Sequence, residues 1–174
     1  YTRSMLECMV GYPLYEPEPF SQHSKESYSR NGVNIGDVGF IREDGSFDFL
    51  FNICPPHNDV INPPNLPDLL CPSNRHNNGV LGLPFQSFEC ISSYLLRRSG
   101  EYICEGSEGA ILELPEGAIQ DEAINRGLFA ALAKLHGVQW YKYTVTQGRD
   151  ISNGSLYLVT SFTKCGHWGI AVFN

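Results

Sequence analysis

The chain has 174 residues, of which 42% are hydrophobic, 12% aromatic and 18% charged, the make-up of a folded protein with one substantial core. Nineteen acidic residues against twelve basic ones leave a formal charge of −7, which repels phosphate backbones and anionic lipid and excludes nucleic acid as a first partner. No apolar run approaches the roughly 18 residues of a membrane span, and no basic stretch leads into an apolar one at the start. The expectation is a single domain over residues 1–174, cytoplasmic and off the membrane.

In chain order, the first distinctive unit is "GYPLYEPEPF", where aromatics, prolines and acids alternate. Extended in a polyproline-like form, Tyr12, Tyr15 and Phe20 would be offered to another surface; packing along its own domain is the cheaper reading. Next, "GDVGFIREDGSFDFLFNI" places two apolar runs around Asp44-Gly45, a pair suited to the two positive-φ positions of a type I′ turn. A two-residue turn would set Arg42 opposite Phe47, Phe40 opposite Phe49 and Val38 opposite Phe51. One face would then carry Val38, Phe40, Phe47, Phe49 and Phe51, and the other Gly39, Ile41, Asp48, Leu50 and Asn52.

From Pro55 to Pro72 proline recurs six times, removing backbone donors and disfavouring helix, so a long coil is expected that serves as a covering flap or a binding loop. "FQSFECISSYLL" fits a short helix and a strand equally. Ala110 to Leu114 reads as a strand stopped by Pro115. Beyond it, Ile124, Leu128, Ala131, Leu132 and Leu135 recur at the spacing of one helical face. The principal helix is expected from about Ile119 to Tyr143, running on through Gly137. Leu156 to Phe162 and Trp168 to Phe173 form two strand-like runs, expected as a C-terminal hairpin, with the first run parallel to Ala110–Leu114 through a crossover.

Candidate chemistry is sparse. Cys54 and His57, then Cys71 and His76, are Cys/His pairs whose spacing could close a tetrahedral zinc site; against this, Cys54 ends a hydrophobic strand and the prolines restrict convergence. Cys165 and His167, one residue apart, could pair as thiolate and imidazole, but no orienting third group is visible in the sequence. Asp37, Asp48, Glu108 and Glu113 could supply an acid and a base, although no spacing fixes any two of them. The remaining binding candidates are Tyr12, Tyr15, His57 and Trp168. The six cysteines include no Cys-x-x-Cys and read as reduced thiols, which leaves the glycan acceptor Asn153-Gly154-Ser155 without a role.

Taken together, "GYPLYEPEP", "GVNIGDVGFIREDGSFDFLFNICPP", "SEGAILELPEGA" and "NGSLYLVTSFTKCGHWGIAVF" make the chain resemble, over nearly its whole length, a large family of uncharacterised proteins of mushroom-forming (basidiomycete) fungi. The resemblance implies no activity or catalytic residue. It implies a β-rich continuation beyond the "WGIA" block, with Phe173 an internal strand end.

The reading is therefore an α+β domain with an antiparallel or mixed sheet, β-hairpins, one principal long helix and a long proline-rich loop. Its expected function is non-catalytic recognition or self-assembly through a protein partner or its own copies, with no cofactor and no metal. The alternatives are a small hydrolase, using Cys165 and His167 or a zinc site at Cys54, His57, Cys71 and His76, and a membrane-active defence protein.

Overall fold

The computed structural model describes residues 1–6, 11–18, 26–56, 58–64, 66–67, 80–85, 88–91, 95–98, 101–104 and 108–173. Among the described residues, three helices, α1 (Thr2–Leu6), α2 (Glu26–Asn31) and α3 (Arg126–Thr146), accompany eleven strands. The strands are β1 (Asp37–Ile41), β2 (Phe47–Asn52), β3 (Val80–Phe85), β4 (Phe88–Ile91), β5 (Leu95–Arg98), β6 (Glu101–Cys104), β7 (Gly109–Leu114), β8 (Ala118–Ala123), β9 (Leu156–Leu158), β10 (Ser161–Lys164) and β11 (Gly169–Phe173). The fold is α+β, with small sheets containing antiparallel pairs and one long helix.

The chain separates into two compact units, one built from residues 1–15, 82–120 and 163–174, the other from 16–81 and 121–162. Strands β3, β8 and β10 form a further sheet in the order β10-β8-β3.

In the unit of residues 16–81 and 121–162, the sheet runs β2-β1-β9, all antiparallel. The expected hairpin forms, but with a different turn and register. Arg42 N–H donates to the Ser46 carbonyl (2.9 Å) and Gly45 N–H to the Arg42 carbonyl (3.0 Å), a longer connection in which Gly45, at φ +81°, takes the left-handed region. The last pair is Ile41 with Phe47, followed by Phe40 with Asp48 and Gly39 with Phe49; the ladder then slips, and Val38 meets Phe51. Leu50 is the extra residue of this bulge, so the slip reverses the faces of everything between it and the turn. Asp48 shares a face with Phe40, and Phe49 points the other way to stack on Tyr28 with ring centroids 4.4 Å apart. Gly39 allows the close approach: a Cβ there would lie 2.3 Å from the Asp48 carbonyl oxygen.

The core of this unit gathers Ile35, Val38, Leu50, Phe51, Ile53, Leu66, Ala123, Phe129 and Trp140. Trp140 and Tyr143 present their rings edge-on to Phe51 at 6.2 and 5.7 Å, a geometry that adds to plain burial. Helix α3 runs through Gly137 as expected but starts later, because Ala118–Ala123 is drawn into the sheet as β8. Its buried face is also not the one the spacing suggested. Phe129, Trp140 and Thr144 face inward, with Leu132, Ala133 and Tyr143 beside them, while Ile124 just before the helix and Leu135 on it are exposed.

In the other unit, β7 lies between β11 and β4, antiparallel to both. Helix α1 buries Met5 against Ala110 of β7, flanked by Tyr1 and Leu112, and β5 pairs with β6 as a separate hairpin. The expected parallel crossover does not form, since β9 pairs antiparallel with β1. Nor does the C-terminal hairpin: β10 joins β8 and β11 joins β7, so the two runs serve different sheets.

Candidate functional site

A buried polar network fixes one end of the first hairpin. Asp37, fully buried, accepts hydrogen bonds from Asn34 N–H (2.6 Å) and from the Asn52 side-chain amide (2.7 Å). The same Asn52 amide nitrogen donates to the Ile35 carbonyl (3.0 Å), and its oxygen accepts from Cys54 N–H (2.8 Å). Asn62, 1% exposed, completes the arrangement. Its amide oxygen accepts from Asn52 N–H (2.7 Å), and its amide nitrogen donates to the carbonyls of Asn52 (3.1 Å) and Pro56 (3.2 Å). Because β2 is an edge strand, Asn62 supplies the main-chain partners a neighbouring strand would have given, and so fastens the proline-rich coil to the sheet.

Beside this anchor lies a cleft of about 370 Å³ lined by Phe49, Leu50, Ile61, Pro63, Pro64, Tyr143, Gln147, Gly148 and Arg149. Its size falls in the range of small-ligand sites. The hairpin gives the floor, the coil held by Asn62 gives one wall, and the C-terminal end of α3 gives the other. Arg149 follows the helix end directly; its N–H donates to the Thr144 carbonyl at 3.3 Å. Its guanidinium lies 3.5 Å from the carboxylate of Asp48, which is 2% exposed. Arg42 approaches the same carboxylate at 3.9 Å. The Leu50 bulge, by turning Asp48 inward, is what gives Arg149 an anchor. An arginine oriented by charge at this distance keeps its donors for a second acceptor.

Tyr28 is almost fully buried, and its hydroxyl makes no hydrogen bond. Burial, then the neighbouring carboxylates of Asp37 and Asp48, push the phenol well above its usual range.

The residues singled out in the sequence fall as follows. Cys54 is half-buried and its thiol donates to the Ile35 carbonyl (Sγ to O 3.6 Å); the other three members of the zinc reading, His57, Cys71 and His76, lie outside the described residues. The loop Cys165 to Trp168 links β10 to β11. His167 Nδ1 is 2.8 Å from Glu116 Oε2, both side chains exposed, so a carboxylate does orient the imidazole, one supplied by the β7–β8 turn. Burial pushes the Cys165 thiol up, the direction opposite to nucleophile activation, and the thiol adds to the burial that raises the phenol of Tyr1 to about 12. Trp168 is exposed in that loop, and Tyr12 and Tyr15 are exposed in the N-terminal segment, Tyr15 edge-on to Tyr1 at 5.6 Å. Among the proposed carboxylates, Asp37 and Asp48 act through their charge on Tyr28, whereas Glu113 accepts from Tyr102 (3.4 Å) and Glu108 approaches Arg3 (3.9 Å) in the other unit.

Sequence reasoning missed Asn62, Tyr143 and Arg149. Pro63 and Pro64 flank the site within the coil flagged as a binding loop, and Gly148 marks the helix end that positions Arg149; these were the available signals. Among the described residues no helix is long and apolar enough to cross a membrane. No protein-family model, curated protein or solved structure matches the chain.

Proposed function

We propose that this chain is a non-catalytic, cytosolic recognition module whose cleft between the proline-rich coil and the end of α3 takes a ligand with an apolar body and an anionic or acceptor group. The observation that carries the reading is the lining itself: aliphatic, aromatic and proline walls surround Arg149, whose guanidinium is oriented by buried Asp48. Such a site gains affinity from the area it dries and orientation from the one cation. Its neighbouring buried amides are engaged in holding the walls, as Asn62 and Asn52 demonstrate, a preorganisation that reduces the cost of binding.

The test uses 8-anilinonaphthalene-1-sulfonate, which joins apolar rings to an anion. The folded chain is expected to bind it saturably, one to one, with a rise in fluorescence. Ile61→Glu should weaken binding at least tenfold, about 1.4 kcal/mol, and Arg149→Gln severalfold, while Leu135→Glu on the far side of α3 leaves it unchanged. A dye response absent from the folded chain, or indifferent to Ile61→Glu and Arg149→Gln, would remove the cleft as a binding site.

A further inference from the structure

Helix α3 is apolar on two sides. Its inner face holds Phe129, Trp140 and Thr144. At about 100° per residue, Ala131, Lys134, Leu135, Val138, Lys142 and Val145 gather into an arc roughly 100° wide on the opposite side. All six are exposed, Leu135 by 72% and Val138 by 67%. A helix facing only water would carry polar residues there.

The two lysines decide what suits this stripe. An α3 helix from a second copy, packed antiparallel about Val138, would set Lys134 against Lys142, like charges facing each other. A complementary cover must instead be acidic and apolar. The chain itself carries such a segment: Tyr12, Tyr15, Glu16 and Glu18 are all exposed, in a stretch of residues 11–18 that forms neither helix nor strand.

We infer that the outer face of α3 is a docking surface for the Tyr12–Glu18 segment of a second copy of this chain. The tyrosines lie along Leu135 and Val138, and the glutamates that follow them meet Lys142, with Lys134 adding to the positive field of the face. Extended at about 3.1 Å per residue, Tyr12 to Glu18 covers nearly the same length as Ala131 to Val145 at 1.5 Å per residue, both close to 20 Å. The two surfaces differ, so the contact is head-to-tail and builds open chains of molecules rather than a closed pair. The contact is small, so association is weak.

Sedimentation velocity of the full chain across a concentration series tests this. Association should appear as concentration rises and diminish as salt is added, since the charge pairs are screened. Lys134→Glu with Lys142→Glu should weaken it about tenfold, as should Glu16→Lys with Glu18→Lys. Mixing these two variants should restore association through the reversed pairs. All four substitutions are at exposed positions, so the fold survives them. A chain that stays monomeric at every concentration overturns the inference, as does association that is indifferent to the reversals or grows with salt; the stripe would then belong to a foreign acidic partner. Dye binding in the cleft is read separately and is unaffected by either outcome.

Discussion

At the scale of single residues, the buried polar groups hold position. Asn62 is the clearest case, because one side chain closes both main-chain groups of Asn52 and reaches Pro56 as well. Not every buried polar atom is satisfied: the Tyr28 hydroxyl is buried without a hydrogen bond, so the oxygen carries a desolvation cost with no return. Tyr28→Phe keeps the ring stacked on Phe49 and removes that cost; we expect it to leave stability unchanged or raise it by up to about 1 kcal/mol at neutral pH. The pH dependence has a definite sign. The folded phenol titrates above the unfolded one, so the stability tied to its protonated form is complete below pH about 10 and declines as pH rises beyond it, by up to about 1.4 kcal/mol per unit. Urea midpoints at neutral pH and above pH 10 should therefore separate, with the phenylalanine variant losing less on going alkaline. Parallel decline of the two proteins would show that Tyr28 ionises freely. Nothing in the sequence marks Asn62 or Tyr28 for these roles, since what a polar side chain meets when buried depends on segments distant along the chain.

At the scale of elements, local signals were legible and face assignments were not. Asp44-Gly45 announces a turn, and the stretch before and after Gly137 announces a helix, because both depend on neighbours in sequence. The Leu50 bulge is silent: alternation along "FDFLFN" fits either face, and only the packing of Phe51 on Trp140 and Tyr143 chooses. Helix α3 misled for a related reason, since apolar residues line both of its sides and period alone does not say which side is covered. The substitutions separate cleanly. Phe129→Ala should cost about 3–5 kcal/mol, while Leu135→Gln on the outer face should stay within about 0.5 kcal/mol of wild type. Gly137→Ala should stabilise by about 1 kcal/mol, because an added Cβ there meets nothing within 4 Å. Chemical denaturation of the three variants checks the order. A large loss at Leu135 with little at Phe129 would restore the face first inferred from the spacing.

At the scale of the molecule, the sequence suggested one domain by length, and the chain shows why composition does not reveal internal organisation. Each unit is assembled from separated segments: the β2-β1-β9 sheet needs residues near both 38 and 158, and its core needs Phe129 and Trp140 from between them. Likewise β7 needs β11 from the far end of the described chain. Withdrawing any one strand breaks the ladder of its sheet, so each unit is expected to melt in a single cooperative transition. The two tryptophans report the units separately, buried Trp140 from one and exposed Trp168 from the other. In Trp168→Phe the fluorescence comes from Trp140 alone, and subtraction from wild type isolates Trp168. Urea titrations followed by each signal should be single sigmoids. A populated intermediate in either signal would mean that the separated segments of that unit do not fold together.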